Sequence, residues 1–167
     1  MKKTLLALAL ASVATTANAD SLIYGGAQFG SAETEAPGSS TATDESTVYG
    51  AHVGTGLLPF LGLEAGIWNL GSYTYSNGVK ADYSSVYFAV KPSLDFGPLH
   101  VYAKAGLNSW SAEYNTVADD DGYDPYYGVG AEVSVFPMLT IGVGYNNFDV
   151  ADQTIDFVAL NATIHFL

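Results

Sequence analysis

The sequence contains no cysteine, which excludes disulfide staples, thiolate metal sites and cysteine nucleophiles and leaves stability to topology or solvent. It also contains no arginine: its five basic residues are Lys2, Lys3, Lys80, Lys91 and Lys104. Seventeen acids oppose them. Nucleic acid, whose affinity rests on many basic contacts to phosphate, is therefore excluded as a partner. A third shortage is of long apolar runs. Beyond Val13 nothing approaches the roughly 20 residues a helix needs to cross a bilayer, so any membrane crossing must be made with strands.

The N-terminus supplies the first positive signal. Lys2 and Lys3 precede an apolar run from Leu5 to Val13, followed by small residues ending in Ala17-Asn18-Ala19. That is the layout of a secretory signal peptide over residues 1–19, with cleavage expected before Asp20. Residues 20–167 then form one domain, with three lysines against seventeen acids for a net charge of −14.

Three tight-turn signals punctuate this domain: Leu58-Pro59-Phe60, Asp95-Phe96-Gly97-Pro98 and Phe136-Pro137-Met138. They divide it into four units of similar length. Between the turns lie polar stretches, Ser31 to Ser46, Ser72 to Asp82, Ser109 to Asp124 and Phe148 to Thr154, which are expected to be long loops. Short turns at one end and long polar loops at the other are the asymmetry of an outer-membrane barrel.

The connecting segments alternate with the strand period of two. Leu99, Val101, Ala103, Ala105 and Leu107 oppose His100, Tyr102, Lys104, Gly106 and Asn108; Tyr127, Val129, Ala131, Val133 and Val135 oppose Gly128, Gly130, Glu132 and Ser134. Only near Leu22 to Gly30 is the facing uncertain. The polar face is mostly Gly, Ser, Asn, Tyr and His, with four charges. Glycine is wasted on an exposed strand surface but leaves room for large neighbours inside a narrow barrel. The expected fold is therefore all-β: an eight-stranded antiparallel up-and-down transmembrane β-barrel, polar inside and apolar outside, in the outer membrane of a Gram-negative cell.

The runs Gly62-Leu63-Glu64-Ala65-Gly66, Val101-Tyr102-Ala103-Lys104-Ala105-Gly106-Leu107 and Gly128-Val129-Gly130-Ala131-Glu132-Val133 resemble the small outer-membrane barrel family that includes the OmpA transmembrane domain and OmpX. The resemblance implies that fold, with Glu64, Lys104 and Glu132 as interior charges. The family's last strand usually ends in an aromatic residue that the assembly machinery reads; here Phe166 is penultimate.

No catalytic constellation is expected. A serine hydrolase needs a base within reach of its nucleophile, and none of His52, His100 and His165 has a serine two residues further on. All three fall on the expected inner face. Asp119-Asp120-Asp121-Gly122 fails as a calcium loop, because the first and last ligand positions would be Val117 and Gly128. It is expected to be an acidic loop tip, and neither a metal nor a cofactor is expected.

The remaining candidate site is a lumen charge network of Glu64, Lys91, Lys104 and Glu132. These belong to four consecutive strands at similar distances from the short turns, and isolated buried charges are costly. Lys104 with Glu132 is the expected central pair. The functional reading is a structural or surface-interaction barrel with acidic extracellular loops. A narrow porin-like channel and a lipid A-modifying enzyme are the other classes considered. Expected partners are outer-membrane lipid and lipopolysaccharide, the barrel assembly machinery and an extracellular surface ligand.

Overall fold

The computed structural model describes residues 23–35, 43–74, 80–114, 120–150 and 153–166; the leader expected at 1–19 lies outside them. Eight strands follow one another: β1 (Tyr24–Glu35), β2 (Thr43–Leu58), β3 (Leu61–Thr74), β4 (Lys80–Phe96), β5 (Leu99–Tyr114), β6 (Asp120–Phe136), β7 (Leu139–Val150) and β8 (Gln153–His165). Each pairs antiparallel with its sequence neighbours, and β8 returns to β1 to close the barrel. Closure removes both sheet edges within the apolar zone, the condition for strands to cross lipid.

The three turn signals become two-residue turns at Pro59-Phe60, Gly97-Pro98 and Pro137-Met138. Gly97 has φ 68°, a left-handed geometry that favours glycine. Neighbouring hairpins are tied together at this end: Ser93 N–H donates to the Phe60 carbonyl (3.0 Å), Ser134 N–H to that of Pro98 (3.0 Å) and His165 N–H to that of Met138 (2.9 Å).

Side chains alternate as the sequence implied. Phe29, Val53, Ile67, Phe88, Leu107, Val129 and Leu160 face outward and are exposed, while Gln28, His52, Glu64, Tyr87, Lys104, Glu132 and Asn161 are buried. The uncertain first strand turns Tyr24 and Gln28 inward and Ile23 and Phe29 outward. On β4 the outward apolar series runs from Val86 to Phe96. Ten residue steps of about 3.3 Å, tilted about 40°, give a belt about 25 Å tall, the thickness expected for an outer-membrane barrel. Phe60, Phe96, Phe136 and Phe166 ring the turn end of this belt, with Tyr49, Tyr127 and Tyr145 at the far end.

Above the belt the structure departs from the sequence reading. Much of each expected loop is strand: Ser31–Glu35 and Thr43–Ser46, Ser72–Thr74 and Lys80–Asp82, Ser109–Tyr114 and Asp120–Asp124, Phe148–Val150 and Gln153–Thr154. Asp120–Gly122 therefore lies in β6 rather than in a loop tip, and Asp119 is outside the described residues. The physical reason is a change of solvent. Here Ala32, Val48, Leu70, Ala81, Ala112, Val150 and Ile155 point inward and are buried. Ser31, Thr47, Asn69, Asp82, Ser111 and Asp156 point outward and are exposed. The alternation persists with its sense inverted, because the wall has left lipid for water.

Inside the belt, lumen glycines face large side chains. A Cβ at Gly54 would lie 2.2 Å from the Tyr24 ring, one at Gly66 2.5 Å from Tyr87 and one at Gly130 2.4 Å from the Tyr102 hydroxyl. Replacing Gly54 with leucine should therefore lower stability by about 1–3 kcal/mol through overpacking. Unfolding by urea in lipid vesicles checks this: Gly54→Leu combined with Tyr24→Ala should lose less than the two single losses added together.

Candidate functional site

Glu64, Lys91, Lys104 and Glu132 all point into the lumen and are at least 96% buried. Lys104 Nζ donates to Glu64 Oε1 at 2.5 Å, and Lys91 Nζ lies 3.6 Å from Glu64 Oε2. The Tyr87 hydroxyl donates to Oε1 (2.6 Å) and that of Tyr24 to Oε2 (3.2 Å). Both oxygens of Glu64 are thus engaged by an ammonium and a phenol. Such saturation is what makes a buried carboxylate tolerable.

The arrangement differs from the expected one in its centre. Lys104 bonds Glu64 rather than Glu132, and Glu132 is approached instead by Lys91 at 4.0 Å. Register explains the choice. Lys104 pairs across with Gly128, four residues short of Glu132 on β6, whereas Glu64 aligns through Ala89 with Gly106, two residues from Lys104. At about 3.3 Å per residue, the acid two strands away across the curved lumen is the nearer in height. Flanking pairs Val90–Ala105 and Ser93–Tyr102 place Lys91 directly across from Lys104. Two facing ammoniums repel, and Glu64 separates them.

Aromatic faces complete the cluster. Lys91 Nζ sits 4.6 Å from the Tyr24 ring centre and 4.5 Å from that of Tyr102, and Lys104 Nζ is 5.0 Å from Tyr102. These cation–π contacts add attraction where water is scarce. Sequence reasoning missed the tyrosines as partners, although Tyr87 and Lys91, like Tyr102 and Lys104, stand at even spacing on one strand and so share the inner face. Toward the turns, Thr140 Oγ1 donates to Glu132 Oε2 (3.0 Å) and meets His165 Nε2 (3.3 Å). A hydroxyl already donating to a carboxylate is not poised for removal of its proton by the histidine.

Directly above the charges the lumen is plugged by rings. Tyr126 stacks on Phe148 (4.4 Å between centroids), Phe148 is parallel to Phe157 (5.9 Å), and Trp68 meets Phe157 edge-on (4.9 Å). Tyr87 belongs to both layers, touching Tyr126 at 4.7 Å while its hydroxyl holds Glu64. Elsewhere His52 bridges Gln28 and Thr163, at 3.1 Å each, and His100 Nδ1 meets Asp95 at 2.5 Å. Among the described residues no group of three or more His, Cys, Asp or Glu could hold a metal ion.

An apolar belt of membrane height, a polar filled lumen and short turns at one end define an outer-membrane β-barrel. Residues 4–166 match the family described as outer membrane protein beta-barrel domain, and the chain belongs to that family. No curated protein matches it. In fold it is similar to Neisserial surface protein A (16% identity, covering 87% of this chain and 98% of that one, TM-score 0.66). It is also similar to Ail, the attachment invasion locus protein of Yersinia pestis (14%, 86% and 98%, TM-score 0.62). A third likeness is to the N-terminal barrel domain of Pseudomonas aeruginosa OprF (13%, 87% and 98%, TM-score 0.57). At these identities the likeness is one of fold; the family match and the apolar belt place this protein in the outer membrane.

Removing one member of the charge cluster strands its partner. Lys104→Met and Glu64→Gln should each cost about 3–5 kcal/mol, and the double variant much less than their sum. A double-mutant cycle on urea unfolding in vesicles measures the coupling. The same cycle on Lys104 and Glu132 should come out closer to additive, since those two do not touch.

Proposed function

We propose that the protein is a non-conducting, non-catalytic surface-interaction barrel whose working surface is the wall that stands above the outer leaflet. The observation that carries this reading is the filled lumen: the Glu64 cluster and the Trp68–Tyr126–Phe148–Phe157 plug occupy successive layers, which leaves the exterior to act. An eight-stranded interior is only wide enough for its own side chains.

The chemistry of that wall narrows the partners. Asp82, Glu113, Asp121 and Asp156 are exposed on it, and three lysines remain in residues 20–167, two of them buried in the lumen. Ail has been crystallised with the heparin analogue sucrose octasulfate. A polysulfated ligand would be repelled here, so cationic partners fit instead, and phosphates of lipopolysaccharide would need bridging divalent cations. The apolar belt would sit in outer-membrane lipid, and the strand ending near Phe166 is what the barrel assembly machinery would read.

Charged side chains in the lumen are the one feature favouring a narrow channel. The ring stack above them opposes it. Planar-bilayer recording separates the two: the refolded protein is expected to give no reproducible unitary conductance, and a steady single-channel level would replace this reading with the channel.

A further inference from the structure

The outer wall is hollowed where the apolar belt ends. Across β2, β3, β4 and β5 the register aligns Ala51, Ile67, Val86 and Ser109 in one outward row. The next outward row toward the cell exterior is Tyr49, Asn69, Ser84 and Ser111. Short side chains at Ala51, Ser84, Ser109 and Ser111 leave a trough between two rings. Tyr49 stands at one flank, and Tyr123, paired across from Ser109 and 78% exposed, stands at the other. The groove has a volume of about 530 Å3, within the roughly 300–1,000 Å3 of clefts that hold small molecules.

Its height sets what can reach it. Val86 begins the outward apolar series of β4, so the lower row faces acyl chains, while Ser84 and Ser111 are at the level where the wall meets water. Two residues further out, Asp82 and Glu113 stand directly across from each other on β4 and β5, both exposed. Like charges so placed repel. The Ser72 hydroxyl donates to Asp82 but leaves the charge unchanged. Lys80 lies two residues beyond Asp82 on the same strand, so an ascending ligand meets the carboxylates first. From Val86 to Asp82, about 13 Å along the strand, the wall is apolar, then hydroxyl-lined, then anionic. An anionic headgroup is repelled at the top of this groove and a cationic one is drawn in.

We propose that the groove binds a single-chain cationic amphiphile of the outer leaflet. Its alkyl chain lies against Ile67 and Val86, and its ammonium sits above the hydroxyls of Ser84 and Ser111, between Asp82 and Glu113. The inference rests on reading the extracellular wall as the working surface, and it names a partner for that surface. Bilayer recording interrogates the lumen and leaves this groove untouched, so the two can fail separately.

The test uses the full refolded barrel, 15N-labelled, in phosphatidylcholine nanodiscs. The probes are dodecylamine, dodecyl sulfate and butylamine, the last keeping the charge without the chain. Dodecylamine should shift the amides of residues 67–69, 84–86 and 109–113 in a saturable way, and the other two probes should not. The combined variant Asp82→Asn, Glu113→Gln should bind dodecylamine about tenfold more weakly, a difference of about 1.4 kcal/mol. Ser84→Phe, which fills the trough from an exposed position, should abolish the shifts while leaving the unfolding midpoint in urea unchanged. Equal shifts with butylamine would mean charge alone is at work, and equal shifts with dodecyl sulfate would mean chain length alone; either would overturn the proposal. Shifts spread around the belt, or undiminished in both variants, would overturn it as well.

Discussion

The packing of the lumen depends on the carboxylate of Glu64. Register sets Lys91 and Lys104 face to face across β4 and β5, an arrangement that repulsion would open. Glu64 holds one ammonium on each oxygen, at 2.5 and 3.6 Å, and takes a phenol on each as well. Because Tyr87 is one of those phenols and also touches Tyr126, the charged layer and the aromatic plug are coupled. The glycines follow from the same constraint: Gly54 and Gly66 leave the space that Tyr24 and Tyr87 fill.

A second constraint is the solvent outside the wall. Within the belt the exterior is lipid, so apolar residues face out and the polar ones must satisfy each other within. Above it the exterior is water, and the same strands carry Val48, Leu70 and Ile155 inside with Thr47, Asn69 and Asp156 outside. β2, β3 and β8 are thus each two amphipathic segments of opposite sense joined end to end, whereas the upper part of β6 turns Asp124 inward and Tyr123 outward. The upper wall carries exposed acids, Asp82, Glu113, Asp121 and Asp156, on its outer face.

The strand count, the turns and the facing were legible because period-two alternation and Pro/Gly-Phe turns are local signals. Lumen residues were legible for the same reason: Glu64, Lys91, Lys104 and Glu132 each occupy the inner parity of their strands. Their pairing was not, since which acid meets Lys104 depends on tilt and shear, which bring Glu64 nearer in height than Glu132. The upper strands were misread as loops because polarity outweighed periodicity, although Ser31-Ala32, Ala81-Asp82 and Ser111-Ala112 alternate plainly once the sense is reversed.

The central claim is that the lumen is closed around Glu64, and the lysines themselves report on it. Of the three in residues 20–167, Lys80 is exposed while Lys91 and Lys104 are buried. Acetylation of the folded barrel with acetic anhydride, read by peptide mass spectrometry, should modify Lys80 and leave Lys91 and Lys104 unreacted until the barrel is unfolded. Modification of Lys91 or Lys104 at the rate of Lys80 would mean an open, water-filled lumen and would contradict the account.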